Sequence, residues 1–223
     1  MGFSIAIDGP AGAGKSTIAK RLAKDLGFIY VDTGAMYRAI GLYFLRKNVS
    51  ADRVDLILED ISNVIVSIEY QNGEQQVILN GENVNGLIRT EEVGNMASAC
   101  SAISEVRNHL MDLQRGLAQT NSVIMDGRDI GTVVLPNAEL KIYLTASVEV
   151  RAKRRYDEMN QKNQEADFEE IKKIIQERDF RDMNREVAPL KQAEDAVLVD
   201  TSDMLPDEVL SHIKALYSER KEA

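Results

Sequence analysis

The eight residues Gly9-Pro10-Ala11-Gly12-Ala13-Gly14-Lys15-Ser16 constrain this chain more than any other stretch, because they fit G-x-x-x-x-G-K-[ST]. They come directly after the apolar run Phe3 to Ile7, which ends at Asp8-Gly9-Pro10 and reads as a buried strand stopped by turn residues. A helix follows: Ile18, Leu22 and Leu26 recur every four residues, Ala19 and Ala23 widen that face, and Gly27 suits the C-terminal cap. Such a loop cradles phosphate because backbone N–H groups turn inward, glycine permits the φ angles and the close approach, and the helix N-terminus adds positive potential. Lys15 is then placed to neutralise the β- and γ-phosphates, and the Ser16 hydroxyl to ligate Mg²⁺. The bland alternative is a glycine-rich turn with a surface lysine. The motif points to a nucleoside triphosphate, ATP first, and leaves the phosphoryl acceptor open. No N-K-x-D guanine-reading sequence occurs, which turns the reading away from GTPases.

Strand and helix signals continue to alternate. Phe28 to Val31 reads as a second strand, and Met36, Ile40 and Phe44 follow at helical spacing. In the middle the period changes: Val64, Val66, Ile68 and Tyr70 alternate with polar residues before Asn72-Gly73, and Val77 to Leu79 return, which predicts a β-hairpin. A local antiparallel element inside an alternating chain reads as an inserted subdomain. Glu91 to Ala99 reads as a short helix, and Val106, Leu110, Leu113 and Leu117 give a longer apolar stripe. Three more strands are expected at Ser122 to Met125, Leu140 to Leu144 and Ala196 to Val199, with apolar helix faces at Phe168, Ile171, Ile175 and at Val209, Ile213, Leu216. Five apolar strands linked by helices predict an α/β fold with an open, mainly parallel sheet covered on both faces.

Composition narrows the partners. A length of 223 residues suits one domain with an insertion, and 27 Lys+Arg against 36 Asp+Glu give a net charge of −9, which disfavours general duplex binding. The single Cys100 forms no internal disulfide, and no Cys/His set has zinc-ligand spacing. No apolar run approaches the roughly 18 residues of a membrane span, and no basic segment leads into a long apolar one at the N-terminus. The expectation is a cytoplasmic monomer that takes small-molecule substrates, without nucleic acid or membrane.

Three stretches offer anion-binding groups, each with a plainer alternative. In Asp32-Thr33-Gly34-Ala35-Met36-Tyr37-Arg38, Thr33 and Arg38 face the crevice at the carboxyl end of a strand, or else Asp32 or Thr33 only caps a helix and Arg38 is solvated. In Asp126-Gly127-Arg128-Asp129, two carboxylates and an arginine at a strand end either bind a ligand or form a structural Arg128–Asp129 pair; Asp126 is placed to orient Mg²⁺ through water. Arg178, Arg181 and Arg185 fall at i, i+3 and i+7 of a helix, gathering anions or neutralised by Asp179 and Asp182. The run Arg151, Lys153, Arg154, Arg155 reads as a solvated helix face.

Taken together, IAIDGPAGAGKST, VDTGAMYR, GENVNGLIRTEEVGNMAS after the hairpin, DGRDIGTVV and ERDFRDMNREVAPL closely resemble bacterial cytidylate (CMP) kinase, of the nucleoside monophosphate kinases. The resemblance runs over essentially the whole chain. It implies a P-loop kinase with a five-stranded parallel sheet flanked by helices, an α+β monophosphate-binding insertion over about 62–104, and a lid over about 151–167. It implies transfer of the γ-phosphoryl group of ATP to CMP or dCMP with Mg²⁺, without an obligatory general base. The ATP site it implies comprises Gly9, Pro10, Ala11, Gly12, Ala13, Gly14, Lys15, Ser16 and Thr17, with Ser16 on the metal. It places Thr33, Arg38 and Arg128 near the acceptor phosphate and Ser98, Arg107 and Asp129 near the cytosine edge. Arg178, Asp182 and Arg185 reach ribose hydroxyls and phosphates, and Lys15, Arg128, Arg178 and Arg185 carry catalysis. Thr33 stands where some relatives carry serine, and Ser16 where some carry glycine.

Overall fold

The computed structural model describes residues 2–222. In chain order the elements are β1 (Ser4–Asp8), α1 (Lys15–Leu26), β2 (Ile29–Asp32), α2 (Thr33–Arg46), α3 (Val54–Asp60), β3 (Val66–Gln71), β4 (Glu74–Leu79), β5 (Glu82–Asn83), α4 (Glu91–Cys100), α5 (Ser104–Thr120), β6 (Val123–Gly127), β7 (Leu140–Thr145), α6 (Val148–Gln161), α7 (Phe168–Asn184), β8 (Val197–Asp200) and α8 (Pro206–Glu222). The five expected apolar strands form one parallel sheet in the order β2-β6-β1-β7-β8. Ile5, Ile7, Ile124, Ile142 and Leu144 pack on one face with Ile18 and Leu22 of α1 and Ile213 of α8. Ala6, Val31, Val123 and Met125 pack on the other with Met36, Ile40 and Phe44 of α2 and Leu110 of α5. Side chains of period two therefore feed two separate cores. Among the described residues no helix is long and apolar enough to cross a membrane.

The strands run past the apolar stretches that announce them. β1, β2, β6 and β8 end on Asp8, Asp32, Gly127 and Asp200, because ladder pairing continues where apolar side chains stop. The register sets Asp32 beside Asp126 and Asp8 beside Gly127, so three carboxylates emerge along one edge of the sheet.

The hairpin is present, with Gln71 paired to Glu74 across Asn72-Gly73, both at positive φ as a two-residue turn of this kind requires. It is one strand larger than the sequence suggests: β5 adds a short third strand, and the small helix α3 precedes it. The hairpin covers the outer edge of β2 through side chains. Tyr70 donates its hydroxyl to the Tyr30 carbonyl at 3.1 Å, while the Gln75 amide accepts from Asp32 N–H at 2.8 Å and donates to Asp32 C=O at 3.2 Å. Helix α4 lies close against α2 at Gly41, where a Cβ would stand 3.0 Å from the Ala97 nitrogen.

Candidate active site

The loop after β1 needs its glycines. Gly9, Gly12 and Gly14 all take positive φ, and a Cβ on Gly9 would sit 1.9 Å from the Leu144 carbonyl oxygen. Lys15 is buried, with Nζ donating to the Pro10 carbonyl at 2.8 Å. Burial lowers its ammonium from the ordinary range, and Arg128 acts in the same direction. Ser16 Oγ donates to Asp126 Oδ2 and the Tyr30 hydroxyl to Asp126 Oδ1, both at 2.9 Å. Burial first, then the Asp32 charge, raises the Asp126 carboxyl. No group of three His, Cys, Asp or Glu among the described residues is arranged to hold a metal ion. One hydroxyl and one carboxylate beside a phosphate loop nevertheless fit Mg²⁺, which uses one or two protein oxygens together with substrate phosphates.

The acceptor candidates Thr33, Arg38, Ser98, Arg107, Arg128, Asp129, Arg178, Asp182 and Arg185 line a single cleft of about 210 Å³ with Lys15 and Ser16. Two buried carboxylates organise it. Asp129 pairs with Arg107 and stands 3.4 Å from Arg185. Asp182 accepts from Arg128 at 2.9 Å, lies 3.7 Å from Arg178, and takes the Ser98 hydroxyl at 3.4 Å. The proposed Arg128–Asp129 neighbour pair does not form. Burial beside Arg128 lowers the Arg178 guanidinium to about 10, and its buried Nε makes no hydrogen bond among the described residues. Thr33 Oγ1 donates to the Asp126 carbonyl at 2.8 Å, and Arg38 donates to the Ile88 carbonyl at 3.0 Å. Asp32 does cap α2, accepting from Ala35 N–H, and also pairs with Arg89 at 2.6 Å.

Two readings of the basic stretches are corrected. The Arg178, Arg181, Arg185 face is not a single helix face. Arg181 is exposed and bonds its own chain at Glu177 C=O, whereas α7 ends at Asn184 and the extended Arg185 enters the cleft. Arg185 is held there by the Ala188 carbonyl and by Ser101 Oγ. Nor is Arg151 solvated: it is buried, pairs with Asp179 at 2.7 Å and donates to the Ala11 carbonyl at 2.9 Å. Arg154 reaches the Ala13 and Thr201 carbonyls at 3.4 and 2.8 Å, so α6 braces the phosphate loop from outside. Lys153 and Arg155 are the solvated members, paired with Asp157 and Glu158.

Two cleft residues and one outside the lining had no local signal. Arg89 and Ser101 line the cleft, and the buried Asp8, outside its lining, accepts hydrogen bonds from the loop that carries Asp129. In the cleft lining as a whole, seven cationic side chains face four carboxylates, a positive balance in a chain of net charge −9. On the other side of the phosphate loop, a second cavity of about 380 Å³ is lined by Gly14, Thr17, Arg154, Thr201, Met204 and Leu205.

The family described as cytidylate kinase matches residues 5–219 of this chain. A cytidylate kinase of Caldicellulosiruptor saccharolyticus is 52% identical over 215 residues, covering 96% of this chain and 95% of the relative. One from Streptococcus pneumoniae (strain 70585) is 49% identical over 214 residues, covering 96% of each chain. Among solved structures, an uncharacterized protein from Eubacterium ventriosum superposes with a TM-score of 0.51 at 12% identity, covering 96% of this chain and 97% of that one, a likeness of fold.

Proposed function

The chain belongs to the cytidylate kinase family and phosphorylates CMP from ATP, and from that premise we propose how its cleft divides the work. The observation that carries the reading is the excess of cations between the phosphate loop and the buried pair Asp129–Arg107. Loop amides and Lys15 hold the β- and γ-phosphates, with Gly9 to Thr17 as the ATP site, and the cavity beside Thr17, Arg154 and Leu205 takes the adenine. Ser16 and Asp126 hold Mg²⁺, which when bound neutralises charge on the phosphates. Arg38, Arg128 and Thr33 receive the acceptor phosphate. That phosphate is ionised near neutral pH, so positioning and charge neutralisation suffice and no general base is required.

Base reading falls to Asp129, Arg107 and Ser98. Cytosine presents an exocyclic amino donor beside ring-nitrogen and carbonyl acceptors, which an aspartate and an arginine side by side complement. Uracil presents an acceptor where the amino group would be and turns it toward the carboxylate, leaving buried polar groups unpaired. Asp182, Arg178 and Arg185 reach the ribose and the phosphates, and dCMP is also accepted. We take 62–104 as the monophosphate-binding insertion and 151–167 as the lid, whose first residue, Arg151, is anchored and acts as its root. Closure there excludes water from the transfer.

ADP formation measured across CMP, dCMP, UMP and AMP tests the reading. The expected order places CMP and dCMP first, and a preference for AMP or UMP overturns it. A separate expectation concerns Lys15. Its lowered ammonium is restored when a triphosphate binds beside it, so at about pH 8.5 the protein takes up protons, up to roughly one per site. Calorimetric titrations of ATP in buffers of different ionisation enthalpy read this uptake, and heats independent of the buffer contradict it.

A further inference from the structure

We propose that Asp8 is a positioning residue that locks the base-reading loop to the root of the phosphate-binding loop. Asp8 is the last residue of β1 and immediately precedes Gly9. Its side chain is buried and points away from its own loop: Oδ1 accepts from Ile130 N–H at 2.8 Å and Oδ2 from Gly131 N–H at 2.7 Å. Those two amides follow Asp129 directly and open the wide turn Ile130–Val134. One carboxylate thus ties the segment that holds ATP to the segment that carries Arg128 and Asp129.

The chemistry calls for a carboxylate. Two converging N–H donors need two acceptor oxygens, and an asparagine would turn its NH₂ toward one of them. Charge is kept in spite of burial, which pushes the Asp8 carboxyl up to about 6 while the two amides and Lys15 pull it back. The charged and titratable groups around it are Lys15 of α1, Asp129 of the loop it holds, and Tyr143 of β7. Asp8 lines neither cavity beside the phosphate loop, so it acts through the backbone of the loop and not on substrate. A displacement of about 1 Å in a reading group is enough to cost on the order of 10²-fold in rate.

The inference rests on Asp129 and Arg107 reading the base, so its test uses Asp8→Asn beside Asp129→Ala. For Asp8→Asn the expected result is faster hydrogen exchange at the Ile130 and Gly131 amides, a KM for CMP raised roughly tenfold or more, and a narrower CMP to UMP ratio of kcat/KM, with KM for ATP within about threefold of wild type. Unchanged exchange at those amides overturns the clamp. Faster exchange with an unchanged ratio, while Asp129→Ala collapses the ratio, overturns the positioning role and leaves the base-reading assignment standing. An unchanged ratio in both variants overturns both. Equal losses toward ATP and CMP mark a purely structural residue and also overturn it. Should Asp8→Asn fail to fold, Gly131→Ala probes the same contact without removing the charge, because its Cβ lies 3.4 Å from Asp8 Oδ2 and 3.2 Å from Lys141 Cδ. It is expected to move KM for CMP and the ratio in the same direction by a smaller factor, and a wild-type ratio in that variant counts against the proposal.

Discussion

Lys15→Ala is expected to lower turnover by roughly 10³-fold or more, because on the assignment proposed above the group lost neutralises the charge that develops on the transferring phosphoryl group. The fold is expected to survive intact. Lys15 is buried with the Pro10 carbonyl as its one hydrogen-bond partner among the described residues, and burial lowers its ammonium. A lysine depressed in this way binds fewer protons folded than unfolded, so between its lowered value and its ordinary one stability rises with pH. At neutral pH desolvation of its charge opposes folding while the buried Asp126 and Asp8 carboxylates beside it favour that charge, so alanine is expected to move the thermal midpoint only a little. A coupled ADP assay with circular-dichroism melting checks both halves. Turnover like that of the wild type, in a protein that melts normally, rejects the role given to Lys15.

Asp129→Ala is expected to damage recognition and stability together. Its carboxylate lies between the Arg107 and Arg185 guanidiniums, all three side chains nearly inaccessible. Burial pushes this carboxyl up and the arginines pull it down. Removing the shared anion leaves two guanidiniums buried without it, a loss of about 3 to 5 kcal/mol by analogy with broken buried pairs. The advantage of CMP over UMP is expected to shrink roughly tenfold or more, since on the base-reading role proposed for Asp129 the group that penalises a misplaced carbonyl acceptor is gone. Urea unfolding measures the first effect and the ratio of kcat/KM values the second. An unchanged ratio removes Asp129 from base reading even if stability falls.

The strands, their helices and the turn at Asn72-Gly73 were legible because each is written in local periodicity or turn chemistry. The strand ends were less legible, since the apolar runs stop before Asp8, Asp32 and Asp126 while backbone pairing continues through them. The gathering of Thr33, Arg128 and Lys15 was legible too, because all lie at carboxyl ends of parallel strands. Who pairs with whom was not. Arg128 passes over its neighbour Asp129 for Asp182, 54 residues away, and Asp129 turns to Arg107, choices that only tertiary packing makes. The same holds for Arg151 and Asp179: a basic run is solvated by default, and nothing nearby in the chain marks the one member that is drawn inside.

The outer border of the main sheet is closed by a phenol and a carboxamide from the hairpin rather than by another ladder. Each of these bonds contributes on the order of 1 kcal/mol net, and water can replace it. The seam is backed by apolar packing as well, since Val77 and Leu79 of the hairpin are buried in the same core as Val31 of β2 and Met36 and Ile40 of α2. Closed, it also denies a neighbouring molecule the bare rim on which strands of different chains would otherwise stack.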